Sequence, residues 1–119
     1  NKTIEKEAIS DLDKGFVSRF KSLVEERMKD AELNVEDLGR NMGMSRVQLY
    51  RKLKSLTNYS PNELLRQMRL KKAASLLASS DMTVAEIAYE VGFSSPSYFT
   101  KCYKEQFGES PTEFLKRRG

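Results

Sequence analysis

The chain has 119 residues and a formal net charge of +4, which is enough for one domain with a modest core. It has no histidine and a single cysteine, Cys102, so zinc loses its usual ligands, an internal disulfide is excluded, and a reducing compartment is favoured. No apolar run approaches the roughly 20 residues that cross a bilayer, and no signal-peptide pattern opens the sequence.

Helical signals begin after residues 1–10, which have little periodicity and are interpreted as a linker from an upstream region. Apolar residues at helical spacing then predict an amphipathic helix from about Asp13 to Asp30. Further on, Pro61 to Ser79 runs without a breaker and predicts one linking helix of about 28 Å. No credible strand run is present in the sequence, which indicates an all-α protein.

An internal repeat accounts for the rest of the chain. LNVEDLGRNMGMS (33–45) aligns with MTVAEIAYEVGFS (82–94) at an offset of 49. After the turn, LYRKLKSLTNYSPNELLR aligns with FTKCYKEQFGESPTEFLK at an offset of 50, so the second copy has one extra residue there. Each copy predicts a helix of about 8 residues, a turn at Gly43 or Gly92, and a second helix starting near Arg46 or Pro96.

Capping residues mark where these helices begin. Asn34 is expected to cap the first helix of copy one, and Ser95 the second helix of copy two, with Pro96 at the first helical position. Capping boxes are predicted for three pairs, namely Ser60 with Glu63, Thr83 with Glu86, and Ser110 with Glu113.

A helix, a tight glycine turn and a second helix within about 23 residues form the helix-turn-helix pattern. The two helices cross closely, which requires a small residue on the first helix, and Gly39 and Ala88 occupy that point. Any helical hairpin with a glycine turn imitates one such match. Two matches in register favour DNA reading over plain packing.

The second helix of copy one is predicted to bury Leu49, Leu53 and Leu56. Its outward face would carry Arg51, which can donate two hydrogen bonds to guanine, and Val47, which can contact a thymine methyl. The lysines and arginines of this helix can bind DNA phosphates, although a run of basic residues more often forms a solvent-exposed face without a ligand. The full outward set, flanks included, is Arg46, Val47, Gln48, Tyr50, Arg51, Lys52 and Lys54.

In copy two the repeat places Phe99 and Tyr103 inward, and Cys102 is interpreted as a small core residue. The outward residues are Ser97, Lys101 and Lys104, with Tyr98 and Thr100 on the flanks. Two interpretations of Tyr98 are left open with equal weight: an ordinary half-exposed ring, or a contact to DNA. Neither second helix has an acidic residue at its third position, where a carboxylate would lie close to a DNA phosphate.

The stretches NVEDLGRNMGMSRVQLYRKLK, RLKKAASLL and TVAEIAYEVGFSSPSYFTKCYKEQFGESPTEF resemble the DNA-binding domain of the AraC/XylS family of bacterial transcription regulators. The resemblance spans roughly residues 16–117. It implies an all-α, seven-helix domain with two helix-turn-helix motifs joined by a long linking helix, and recognition helices in successive major grooves. The implied parts are residues 11–60, 61–80 and 81–119. The DNA contacts carried over are Arg46, Val47, Tyr50, Arg51 and Lys54, with Ser97, Tyr98, Thr100, Lys101 and Lys104.

What the resemblance implies for partners is double-stranded DNA, RNA polymerase at a promoter, and no metal, cofactor or small-molecule ligand in this stretch. The chain also looks like the output end of a hybrid two-component system, with sensor, kinase and receiver domains upstream. Such a regulator is cytoplasmic, and its parent protein can be anchored in the inner membrane through upstream segments.

Many relatives have long polar side chains where this chain has Pro96 and Ser97, and residues 81–108 carry a net charge of −2 against +2 for residues 31–60. The first motif is therefore expected to supply most of the affinity. A basic helical protein-interaction module is the main alternative, and a transposase-like or repressor helix-turn-helix is another. An enzyme is disfavoured, because no glycine-rich phosphate loop appears and no nucleophile has a histidine base.

Overall fold

The computed structural model describes residues 11–119, which form seven helices and no strand. This confirms the predicted all-α class, with two helix-turn-helix motifs joined by a long linking helix. The predicted linker at residues 1–10 lies outside the described residues. The helices are α1 (Asp11–Arg27), α2 (Val35–Asn41), α3 (Arg46–Thr57), α4 (Pro61–Ser79), α5 (Val84–Glu90), α6 (Pro96–Phe107) and α7 (Pro111–Arg118).

Most helix starts follow the predicted caps. The Asn34 side chain accepts from the backbone N–H of Asp37 at 2.9 Å, and Ser95 Oγ accepts from the N–H of Tyr98 at 3.3 Å. Pro96 and Pro111 occupy first helical positions, where a missing N–H costs nothing. Complete capping boxes open α5, with Thr83 and Glu86, and α7, with Ser110 and Glu113.

The predicted end of the first helix at Asp30 was wrong, because α1 ends at Arg27. The Asp30 N–H donates to the Arg27 carbonyl at 3.0 Å, and the Asp30 side chain accepts from the Glu32 N–H at 2.9 Å. Met28 lies beyond the helix and is still buried. The apolar spacing therefore continued past the point where the helix stops.

Contacts divide the described residues into two units, the first formed by residues 11–26 and 34–62. Its buried side chains come mainly from α1, α2 and α3, and they include Phe20, Leu38, Leu49 and Leu53 with no exposed surface. Burying each of these contributes at most about 1.5–3 kcal/mol relative to exposure. The apolar stripe of α3 thus holds the helix by one side and leaves the other side to solvent.

The second unit comprises residues 27–33 and 63–119. Its core includes Leu70 and Leu77 of α4, Ile87 of α5, and a line of aromatic rings along α6. Phe99 packs at 5.2 Å from Phe93 and at 5.9 Å from Tyr103, centroid to centroid and with tilted planes, which is a favourable arrangement. None of the helices in residues 11–119 is long and apolar enough to pass through a bilayer.

Candidate nucleic-acid interface

The turn between α2 and α3 brings the two helices close together. An ideal Cβ on Gly39 would lie 2.8 Å from the Met44 carbonyl oxygen, so a side chain there would force the turn to shift. The Met44 N–H in turn donates to the Gly39 carbonyl at 2.8 Å. Gly43 has φ +70°, the left-handed conformation that ends α2. Both glycine roles predicted from the sequence are confirmed.

The turn between α5 and α6 repeats this arrangement, with Gly92 at φ +98° and Ala88 fully buried. It runs from Val91 to Ser95, one residue more than Met42 to Ser45 in the first motif. The extra residue predicted from the alignment is therefore in the turn.

Gly92 is also enclosed by parts of unit 2 that sequence reasoning did not connect with it. A Cβ at this position would collide with the Met28 carbonyl oxygen and lie 2.8 Å from Arg69 Nε. Arg69 Nη2 donates to the Asp30 carbonyl at 2.8 Å, while its Nε is buried without a partner among the described residues. Burial lowers the pKa of Arg69, and the charge of Asp30 opposes that shift. Nearby, Lys29 pairs with Glu90 at 3.1 Å.

On α3 the predicted inward and outward faces separate as expected, except that Leu56 is only half-buried. The outward apolar and aromatic side chains are well exposed, with Val47 at 57% and Tyr50 at 48% of their surface. α3 contains four basic residues and no acidic residue. The exposed members of the predicted contact set are Arg46, Val47, Gln48, Tyr50, Arg51 and Lys54.

Lys52, assigned to phosphate by the sequence, is instead engaged with α1. Its ammonium lies 3.3 Å from Asp13 Oδ1 and 5.4 Å from the centre of the Phe16 ring. Lys54 has part of its donor capacity engaged as well, since Nζ donates to the Asn58 carbonyl at the end of α3 at 3.2 Å. Two further Lys54 donors remain for a partner.

Gln48 has a second role that the sequence analysis missed. The Ser45 N–H donates to Gln48 Oε1 at 2.9 Å, and the Gln48 N–H donates to Ser45 Oγ at 3.2 Å, which completes a capping box at the start of α3. The Ser-x-x-Gln pattern of residues 45–48 is the sequence signal for this pair, since glutamine can take the place of glutamate in a capping box.

On α6, Phe99, Cys102 and Tyr103 are buried, as predicted. Ser97, Tyr98, Lys101 and Lys104 are exposed, whereas Thr100 is half-buried. The Tyr98 ring is 51% exposed and lies 5.9 Å from the Phe93 ring, so its inner edge is packed and its outer edge meets solvent. The structure thus groups six predicted contact residues on α3 in one unit and five on α6 in the other.

Two helix-turn-helix motifs, each with a second helix that buries one apolar stripe and exposes the opposite side, define this chain as a double helix-turn-helix protein. A family model described as a helix-turn-helix domain matches residues 38–117. The chain belongs to this family, and within it to the AraC type.

Three similar proteins extend the comparison. Histidine kinase P4 of Formosa agariphila is 37% identical over 109 residues, which cover 92% of this chain and 8% of that protein. The C-terminal domain of AraT, a response regulator from Geobacillus stearothermophilus, superposes with a TM-score of 0.81 at 28% identity over 93% of this chain and 88% of that one. The DNA-binding domain of AdpA, a global transcriptional factor solved in complex with a target DNA, superposes with a TM-score of 0.79 at 30% identity. The match covers 84% of this chain and 89% of that one. The chain spans between 8% and 37% of the length of the curated relatives it matches.

Proposed function

We propose that this chain binds double-stranded DNA sequence-specifically through α3 and α6 and regulates transcription as an activator. The observation that carries the proposal is the duplicated motif: in both copies the aromatic or aliphatic stripe is buried and the side chains opposite it are exposed. Family membership and the similarity to the DNA-binding domain of AdpA support it.

In the first motif Arg51 is proposed to read a guanine, because a guanidinium can donate a planar pair of hydrogen bonds to O6 and N7. Val47 is proposed to contact a thymine methyl, and Tyr50 a base edge or a sugar. Arg46 and Lys54 are assigned to phosphates, which fix the register of the helix without reading sequence.

In the second motif Lys101 and Lys104 are proposed to bind phosphates, with Ser97, Tyr98 and Thr100 close to the base edges. Ser97 is short and Pro96 has no hydrogen-bond donor, so this end of α6 has few long side chains that could donate hydrogen bonds to DNA. The first motif is therefore proposed to supply more of the affinity than the second.

The wider setting of the domain is also a proposal. The likeness to the C-terminal domain of a response regulator and to a short part of a histidine kinase supports a hybrid two-component parent, with sensor, kinase and receiver domains upstream. Residues 1–10 would link them to residues 11–60, 61–80 and 81–119. In this setting the domain acts in the cytoplasm, holds RNA polymerase near a promoter, and belongs to a parent anchored in the inner membrane.

Salt dependence separates this proposal from a basic protein-interaction module. Neutralising several phosphates makes log K fall steeply with log salt, whereas a packed protein interface changes little. The measurement is a fluorescence-anisotropy titration of a selected duplex at several salt concentrations. Lys54→Ala is expected to reduce the slope by about one, and Lys52→Ala, a matched lysine engaged with α1, to leave it unchanged. A flat salt response of the unmodified chain would contradict DNA binding.

A further inference from the structure

The amide of Gln48 is fixed in one orientation by the capping box at the start of α3. A backbone N–H can only donate, so the Gln48 atom that faces the Ser45 N–H at 2.9 Å must be the oxygen. The NH2 group therefore points away from the Ser45 backbone. Gln48 is exposed, and no side chain or carbonyl within residues 11–119 accepts a hydrogen bond from this NH2.

The other capping boxes of the described residues use a carboxylate in the same place. Glu86 accepts from the Thr83 N–H at 2.9 Å, and Glu113 accepts from the Ser110 N–H at 3.0 Å. A glutamate at position 48 would make the same bond and would interact more favourably with the positive end of the helix dipole. It would also place a negative charge, and no donor, on the first turn of the helix proposed to enter DNA.

We propose that Gln48 contacts DNA directly. Its amide oxygen is held by the Ser45 backbone N–H, and its NH2 group donates a hydrogen bond to an acceptor on the duplex. This inference rests on the proposed DNA-binding function. The acceptor is a phosphate oxygen or an acceptor atom on a base edge. The cap fixes the amide before binding, so little side-chain freedom is lost when the bond forms.

The exchange Gln48→Glu separates DNA contact from helix capping. The melting temperature of the free protein is expected to stay the same or rise, because the capping bond is kept. The affinity for a selected duplex is expected to fall at least about fivefold. Glu86→Gln, the reverse exchange in the box that opens α5, is the matched control and should leave DNA affinity within about twofold. Unchanged affinity of the Gln48→Glu protein would overturn the inference.

A second pair of variants covers the case in which Gln48→Glu is unstable. Gln48→Ala and Ser45→Ala both break the capping box, but only Ser45→Ala keeps the amide. Gln48→Ala is therefore expected to lose several times more DNA affinity than Ser45→Ala. Equal losses would reduce Gln48 to a cap and overturn the inference.

Comparing a selected duplex with a random one identifies the acceptor. A phosphate contact lowers the affinity of Gln48→Ala for both duplexes equally, and a base contact lowers it mainly for the selected one. If the unmodified chain binds no selected duplex, the proposed function fails together with this inference. If it binds and the Gln48 variants match it, only this inference fails.

Discussion

Gly92 is the residue at which the second motif has the least freedom. It combines φ +98° with the Met28 carbonyl and the Arg69 side chain packed against its Cα. Gly43, its counterpart in the first motif, has φ +70° and open space around the position where a Cβ would stand. Aligned glycines thus perform the same turn under different packing constraints.

Substituting alanine at each glycine tests this difference. Gly43→Ala should lower the free energy of unfolding by about 1–2 kcal/mol, the cost of a left-handed alanine. Gly92→Ala should cost about 3 kcal/mol or more, because the methyl group also meets a fixed backbone oxygen. Urea unfolding followed by circular dichroism measures both, and a Gly92→Ala loss no larger than that of Gly43→Ala would contradict the packing described around Gly92.

Arg51 and Lys101 occupy comparable outward positions in the two motifs. Arg51→Ala removes a proposed two-bond contact to a base and should cost about 1–3 kcal/mol of binding free energy, while Lys101→Ala removes a proposed phosphate contact and should cost less. Anisotropy titrations against the selected duplex compare them. Equal losses, or a larger loss for Lys101→Ala, would refute the proposal that the first motif dominates.

At the level of the helices, the signals that act locally were predictable from the sequence. Pro61, Thr83, Ser95 and Ser110 mark helix starts by their own chemistry, and the structure has the helices beginning beside them. The end of α1 was not predictable in this way. Met28 continues the apolar spacing, but Arg69, distant in sequence, hydrogen-bonds the Asp30 carbonyl in the turn that follows.

The same limit applies to the candidate site. The exposed faces of α3 and α6 follow from helical periodicity, which the sequence contains. The diversion of Lys52 to Asp13 and Phe16 depends on how α1 packs against α3, and no spacing within α3 reports that contact. The hydrogen bonds between Ser45 and Gln48 join residues three positions apart, so they were predictable from the sequence alone.

The caps of α5 and α7 make a specific prediction for acid stability. Hydrogen bonds from the Thr83 backbone and side chain lower the pKa of Glu86 from its ordinary value, and Ser110 does the same, as the main cause, for Glu113. A carboxyl whose pKa is lower in the folded state stabilises the fold fully above its unfolded pKa, and this contribution is lost as pH falls through the folded pKa.

The double variant Glu86→Gln and Glu113→Gln should therefore lose less stability than the unmodified chain when the pH is lowered from about 7 to about 3. Thermal unfolding at both pH values measures the difference. Parallel losses in the two proteins would show that these caps do not contribute to the acid sensitivity.

The whole chain carries two helix-turn-helix motifs, one in each packing unit. The two motifs belong to separate packing units, and each has its own buried core beneath its exposed helix. α4 is continuous from Pro61 to Ser79 and follows the first motif directly. The chain spans 8% of histidine kinase P4 and 37% of the Msm operon regulatory protein.

Selection of bound sequences from a random pool of double-stranded DNA tests whether both motifs read sequence. Two enriched blocks about one helical turn apart, roughly 10 bp, are predicted. In the same selection, the Arg51→Ala protein should lose the sequence enrichment of one block and keep that of the other. A single enriched block would show that only one motif reads sequence, and a pool without enrichment would contradict sequence-specific DNA binding altogether.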